Sequence, residues 1–469
     1  MKFDINFIGT STRYTLADGS KKERLHLDAA ASPLAAEIAL NTINDLLPHY
    51  SNTHSYVHQS AKISTHAFDW AHDKILKCLN ASKENYTTVF IGSGTTAASN
   101  RLARGLTKAR ENKNIVMISS MEHHANDLPH RETNQQIVYL PLQEAETGSP
   151  SELGAVDLIQ FEKLCKQHSQ KINYIAVSSV SNVTGICNPI KEMTNIAHQH
   201  GALIIVDAAQ SAAHMQSNIE EHDIDFMIFS GHKVYTPMAP GVMVAKKELL
   251  SVLNGQDLGG GSVSDVSFHD YTLFKRFPDR EQSGTPNIVG SVALACVFEK
   301  LSSIGFDNIY KHSTSLTEQL ITGLSKHKDI TVYGDKNLSR VGAISFNHTH
   351  IDHGLFAAIL NDYFGIAVRN ECFCAHPYVS TLIKEELWAL DIDDIPEDQQ
   401  NSYINRKRGM VRASVGLYTR NEDISRFLSA VNSIIKGIDL YRKEYQVQED
   451  GSYIHKSFYL DWRKELNLN

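Results

Sequence analysis

Cysteine and tryptophan are scarce in this chain, at six and three of 469 residues, and positive charge is outnumbered, 45 lysines and arginines standing against 53 aspartates and glutamates. Each shortage excludes something. Cys78, Cys165, Cys187, Cys296, Cys372 and Cys374 lie mostly within helix-like or strand-like sequence, unlike the framework of a small disulfide-stapled protein. A net charge of −8 without a segregated basic stretch argues against a nucleic-acid partner. No apolar run approaches the roughly 18 residues needed to cross a bilayer. The amino terminus, Met1-Lys2-Phe3-Asp4-Ile5-Asn6, has neither a long apolar core nor a small-residue cleavage site. These absences lead us to expect a soluble, unprocessed protein in a reducing, cytoplasmic setting. Neither His-Glu-x-x-His nor paired Cys-x-x-Cys spacing occurs, so no metal site is expected. Internal repeats and low-complexity tracts are also missing.

What is present is an ordinary globular composition, 42% hydrophobic and 21% charged, with an alternation of strand-like and helix-like segments from about residue 86 to 250. Thr87–Ile91 runs into Gly92-Ser93-Gly94-Thr95-Thr96 and a helix-like stretch from Ala97 to Leu106. Ile115–Ile118 runs into Met121-Glu122-His123-His124, and Tyr174–Val177 into Ser181-Asn182-Val183-Thr184-Gly185. Ile204-Ile205-Val206 ends in Asp207-Ala208-Ala209-Gln210, and Phe226–Phe229 in Ser230-Gly231-His232-Lys233. Each apolar run ends in polar residues, as buried parallel strands do at the carboxyl edge of their sheet. A helical connector is expected from about Ile288 to Ile304. Strands near Thr331–Tyr333 and Ala343–Phe346 then open a smaller α+β domain.

The pair Asp207 and Lys233 carries the most chemistry. A lysine can form a Schiff base with an aldehyde, and a carboxylate one strand away can hold a pyridine nitrogen protonated, which together suit pyridoxal 5′-phosphate. Taken singly, an Asp at a strand end is usually a turn residue and a Lys a solvated charge. Hydroxyl, imidazole and amine placed together after a buried strand are not explained by packing. Gly94-Thr95-Thr96 at a strand-to-helix junction offers free amides and hydroxyls to an anion, although the same residues also serve as a plain helix cap. His123 or His124 could lie against a flat ring and move protons. Arg412 stands in Met410-Val411-Arg412-Ala413-Ser414-Val415, an otherwise apolar run where a guanidinium needs a carboxylate partner.

Together these residues resemble the class V, fold-type I enzymes dependent on pyridoxal phosphate, in the branch of cysteine desulfurases and selenocysteine lyases. The resemblance runs from His26-Leu27-Asp28-Ala29-Ala30-Ala31 to about Ile435, and its strongest stretches are Met121–Asn126, Ser181–Gly185, the Asp207 and Lys233 segments, Gly284-Thr285-Pro286-Asn287 and Val411–Ser414. The resemblance implies an α/β fold with a large domain of mainly parallel sheet flanked by helices (25–295). A smaller α+β domain (1–24 and 296–435) would carry the cysteine loop and the substrate arginine, followed by a carboxyl-terminal extension (436–469).

Lys233 would form the Schiff base and shuttle protons. Asp207 would pair with the pyridine nitrogen and His123 would stack on the ring. Gln210 and Asn182 would hydrogen-bond near the phenolic oxygen or the substrate. Thr95, Thr96, Ser230 and His232 would bind phosphate, and Thr285 would reach the phosphate of a neighbouring subunit, making a homodimer with shared sites. Arg412, assisted by Arg369, would grip the α-carboxylate of the amino-acid substrate.

Within Arg369-Asn370-Glu371-Cys372-Phe373-Cys374-Ala375-His376-Pro377, Cys374 occupies the position of the desulfurase thiol that accepts sulfur as a persulfide. Glu371 stands where the family usually has Gly, Phe373 replaces a common His, and Cys372 adds a second thiol. The segment 382–408, with its acidic Asp391-Ile392-Asp393-Asp394 run, looks like an insertion that could shape access or bind a sulfur-acceptor protein. L-Cysteine desulfuration with Cys374 as sulfur carrier is the expected activity. A class V aminotransferase or another lyase, including a selenocysteine lyase, without a cysteine nucleophile is the enzymatic alternative. A non-catalytic scaffold of the same fold is the alternative from another class.

Overall fold

The computed structural model describes residues 3–253, 257–390 and 395–468. Seven strands, β1 (Tyr86–Ile91), β2 (Ile115–Ser119), β3 (Gln136–Leu140), β4 (Ile172–Ser178), β5 (Leu203–Asp207), β6 (Phe226–Ser230) and β7 (Gly241–Lys246), form one sheet in the order β1-β7-β6-β5-β4-β2-β3. Pairings β5/β6, β4/β5, β2/β4 and β2/β3 are parallel, and β7 alone runs against both its neighbours. In every strand but the edge strand β3, rows of apolar residues buried on both faces make these residues strands rather than surface hairpins. Register places Ser178 opposite Asp207 and Asp207 opposite Ile228, so the last residues of β4, β5 and β6 share one edge.

β1 passes into helix α2 (Gly94–Ala109), which follows helix α1 (Gln59–Cys78) in the chain. The turn requires glycine at 94, because φ is +59° and a Cβ there would lie 2.3 Å from Ser230 Oγ. Helix α3 (Ile288–Ile304), the expected connector, packs on α1 and ends at Gly305, after which α4 (Phe306–Leu324) leaves at 82°. Among the described residues no single helix is long and apolar enough to cross a membrane.

The small domain is an antiparallel sheet of β8 (Ile330–Val332), β9 (Ala343–His348), β10 (Arg369–Glu371) and β11 (Met410–Ser414), ordered β8-β9-β11-β10. It packs with α4, α5 (His353–Phe364) and α7 (Asn421–Arg442) around Leu316, Leu320, Phe346, Phe356 and Phe427. Between them in the chain, α6 (Glu397–Lys407) lies in the 382–408 insertion, whose acidic run Asp391–Asp394 falls outside the described residues.

Two boundaries differ from the sequence reading. Leu25 and Leu27 sit in the small-domain core because Leu25–His26 pairs in parallel with Ile366–Ala367, whereas Phe3, Ile5 and Phe7 pack on the large-domain core. The expected break at residue 435/436 falls inside α7, which bends at Gly437 and runs on to Arg442. The following hairpin, Tyr445–Val447 with Tyr453–His455, is anchored by Tyr445 in the small-domain core and by the Tyr453 hydroxyl on Asp352. The extension therefore packs on its own chain as far as His455, whereas Tyr459 to Leu468 stand exposed.

The turn Ser181–Gly185 joins the domains: Ser345 Oγ donates to the Val183 carbonyl (2.6 Å) and Val341 N–H to the Gly185 carbonyl (2.8 Å). Gly185 has φ +72° and a Cβ there would lie 2.3 Å from the Ala343 carbonyl oxygen. Gly185→Ala is expected to destabilise the fold by about 2 kcal/mol, measured as a shift in the denaturant midpoint. An unchanged midpoint would show that the turn is not pressed against β9.

Candidate active site

A cavity of about 560 Å³ opens at the carboxyl edge of the large sheet, against the small domain. Thr95, Thr96, His123, Asn182, Asp207, Gln210, Ser230, His232, Lys233, Arg369, Cys374 and Arg412 all line it. Thr285 does not, and is exposed.

Burial sets the electrostatics of the floor. It raises the Asp207 carboxyl to about 6, against the pull of the Ala209 N–H on Oδ1 (2.8 Å) and of Lys233. It also lowers the Lys233 amine to about 8, with Arg412 pushing the same way and Asp207 and Cys374 opposing. Both groups thus titrate nearer neutrality than their ordinary values, as acid–base groups of a site do. His123 is held neutral, pushed down to about 3 by burial and by Lys233. Its Nδ1 accepts the Ala125 N–H at 3.0 Å, so the neutral ring carries its proton on Nε2.

One end of the cavity is built for an anion. The first turn of α2 supplies amides, while Thr95, Thr96, Ser230 and His232 supply side-chain donors. Ser230 Oγ is fixed by the Thr95 N–H (2.9 Å) and faces Thr95 Oγ1 at 3.1 Å. Gln210 is turned by its Nε2 donating to the Ala30 carbonyl (2.9 Å). An anion cradle, a buried carboxyl, a desolvated amine and a neutral imidazole match the phosphate, ring nitrogen, aldehyde and ring face of pyridoxal phosphate.

The opposite wall is made by Arg412, which is 2% exposed. Its Nη1 donates to the Asn182 carbonyl (2.9 Å), its Nη2 meets Asp28 Oδ1 (3.3 Å), and its guanidinium lies 4.7 Å from the Phe373 ring centre. Arg369 sits directly across the β10/β11 pair from Arg412, with Nη1 3.9 Å from Asp28 Oδ2. Two guanidiniums flanking a single carboxylate leave positive charge for an incoming one.

Glu371, Phe373 and Cys374 adopt φ of +85°, +51° and +55°. Glu371 thus holds a glycine-like conformation at the position where the sequence departs from glycine, a strained geometry for a side-chain-bearing residue. The loop is pinned by Asn182 Nδ2 on the Phe373 carbonyl (2.8 Å) and by the His124 N–H on the Cys374 carbonyl (2.7 Å). Cys374 emerges exposed in the cavity, while Cys372 is buried with Sγ 3.6 Å from the Arg408 carbonyl, and burial raises its thiol. The two cysteines of the Cys-Phe-Cys run are therefore unequal, and only Cys374 reaches the site.

Two contributors were not assigned from sequence. Asp28 stood within a recognised stretch, but its contact with Arg412 spans residues distant in the chain. Glu122 has no assigned role in the sequence, yet it is 4% exposed and bound by Ser119 Oγ, Ser178 N–H (2.8 Å), Ser178 Oγ (2.6 Å) and Asn126 Nδ2 (2.7 Å). Burial pushes it up to about 7. It ties the ends of β2 and β4 together directly before His123. No local pattern in the sequence announces such a network.

The family model described as aminotransferase class-V matches residues 25–427. A probable cysteine desulfurase of Halalkalibacterium halodurans is 34% identical over 364 residues, covering 76% of this chain and 86% of the relative. A cysteine desulfurase of Escherichia coli is 30% identical over 419 residues, 87% of this chain and 93% of its own length. Among solved structures, the apo cysteine desulfurase of Thermococcus onnurineus superposes with a TM-score of 0.76 at 27% identity, covering 88% of this chain and 95% of that one. The S-sulfonic acid form of an Escherichia coli cysteine desulfurase gives 0.73 at 26% identity with the same coverage.

An amine is a nucleophile only when neutral. With Lys233 lowered to about 8, uptake of pyridoxal phosphate by the apoprotein, followed by absorbance, is expected to accelerate as pH rises through about 8 and then level off. Asp207→Asn removes the charge that raises the amine and shifts the rise to lower pH. A rise only near the ordinary lysine value of about 10.4 would mean that Lys233 is solvated.

Proposed function

The chain belongs to the aminotransferase class-V family, and on that premise we propose that it removes sulfur from L-cysteine, releasing L-alanine and leaving the sulfur as a persulfide on Cys374. Pyridoxal 5′-phosphate is the cofactor of this family, and when bound it supplies an electron sink for the bonds broken at the substrate carbons. The observation that carries the reading is the convergence of Cys374, Lys233 and Arg412 on one cavity.

Lys233 would hold the cofactor aldehyde, Asp207 the ring nitrogen and His123 the ring face. Thr95, Thr96, Ser230 and His232 would take the phosphate, with Gln210 and Asn182 serving the phenolic oxygen and the substrate. Arg412, with Arg369 beside it, holds the substrate carboxylate and so orients the amino acid for reaction. Lys233, its amine lowered by burial to about 8, would take the substrate's α-proton. The Cys374 thiolate would attack the substrate sulfur: a sulfur–sulfur bond forms, the carbon–sulfur bond breaks, the electron pair left on the β-carbon takes a proton from Lys233 or solvent, and a proton returned by Lys233 to the α-carbon completes alanine.

The same proposal includes a homodimer. Thr285 is exposed and outside its own cavity, as befits a residue offered to the phosphate site of a second copy. A sulfur-acceptor protein would take the persulfide onward, and a reducing, cytoplasmic setting would keep the thiols unpaired, as all six are here.

With L-cysteine and a reductant, the holoenzyme is expected to release sulfide and alanine in equal amounts. Cys374→Ala should lose both by at least about a hundredfold while keeping the absorbance of bound cofactor. Undiminished turnover in that variant would refute the persulfide role, and a keto-acid product in place of alanine would mean transamination.

A further inference from the structure

His124 is not needed by the chemistry just described, yet it makes three contacts with the loop that carries the thiol. Its backbone N–H donates to the Cys374 carbonyl at 2.7 Å. Its ring nitrogen Nε2 accepts the backbone N–H of His376 at 3.3 Å and lies 3.3 Å from His376 Nδ1. The two imidazoles stack with centres 5.0 Å apart and planes 11° from parallel. His376 is the first residue of the short helix His376–Leu382, so His124 caps an amide that has no partner within the helix.

We propose that His124 is the positioning residue of the Cys374 thiol: its amide holds the Cys374 carbonyl, its Nε2 caps the helix that follows, and the stack on His376 locks one to the other. This deepens the desulfurase reading and rests on it for the sulfur-transfer step. The loop it holds has three residues at positive φ within four positions, Glu371, Phe373 and Cys374. Such a backbone keeps its shape only while its surroundings enforce it. Phe373 is held from the other side by Asn182. The thiol therefore sits between two fixed points, one from each strand end.

The clamp works only with His124 neutral, because Nε2 must accept. Protonation would turn that nitrogen into a donor facing another donor. Around the ring stand Asp127 and Arg131 from its own turn, His376 stacked on it and His123 beside it. Beyond His376 the neighbouring groove adds Glu371, Arg406, Arg408 and Asp450. Burial, His376 and Arg131 favour the neutral ring more than Asp127 favours the charged one, so the His124 pKa is lowered. The clamp is closed at neutral pH and opens on acidification, below the ordinary histidine value of about 6.5.

The test uses the holoenzyme and two variants. His124→Ala is expected to lower alanine formation at saturating L-cysteine by about tenfold with cofactor absorbance retained. His124→Gln, whose amide oxygen can accept in place of Nε2 without titrating, should restore turnover and flatten the acid limb of its pH profile. A second readout needs no turnover: iodoacetamide labelling of Cys374, the one exposed cysteine, followed by peptide mass. In His124→Ala the labelling rate at pH 8 should rise severalfold, about the range expected when a held loop is released. Wild-type turnover and labelling in His124→Ala, or an unchanged acid limb in His124→Gln, would overturn the proposal. Should alanine formation prove independent of Cys374 while labelling still responds to His124, the clamp stands and the desulfurase reading falls.

Discussion

A guanidinium buried where two domains meet has to be paired, and the pairing of Arg412 holds the site together. Leaving such a cation without partners would cost several kcal/mol. The chain meets the requirement with groups drawn from three distant places: Asp28, the Asn182 carbonyl and the face of Phe373. Asn182 belongs to the turn that β4 sends to the small domain, and Phe373 to the cysteine loop. Because one side chain needs all three, the segment that follows Leu25–His26, the large-domain turn and the loop are fixed relative to one another. Arg369 shares the Asp28 carboxylate, so the wall keeps spare positive charge where a substrate carboxylate would arrive.

The floor works through desolvation in both directions. Burial favours the neutral form of every group, raising Asp207 to about 6 and lowering Lys233 to about 8 and His123 to about 3. The raised carboxyl, the lowered amine and the uncharged imidazole all follow from one physical cause, and each suits the role proposed for it. The same cause separates the two thiols, since buried Cys372 is raised while Cys374 remains in the opening.

Much of this was legible in the chain. Apolar runs ending in Asp207 and in Ser230-Gly231-His232-Lys233 announced strands, and register alone then brings their ends to one edge. The connector helix emerged at the expected Ile288–Ile304, because its long apolar stretch can only be buried between layers. The Cys374 position was readable as a motif, but its exposure and the burial of Cys372 depend on three positive φ values that no propensity foretells. The reversed direction of β7, the Glu122 network and the meeting of His124 with His376 were illegible for the same reason. Each is decided by contacts between residues far apart in sequence. The extension beyond residue 435 had aromatic and charged residues without a period, and the burial of Tyr445 and the bond of Tyr453 to Asp352 show which face its hairpin covers.

The central claim is that sulfur leaves the substrate onto Cys374. The holoenzyme should be exposed to L-cysteine without reductant, alkylated, and each of the six cysteine peptides weighed. The account predicts a gain of sulfur on the Cys374 peptide and on no other. Sulfur found on Cys372 or elsewhere, or alanine formed with every cysteine unchanged, would contradict it.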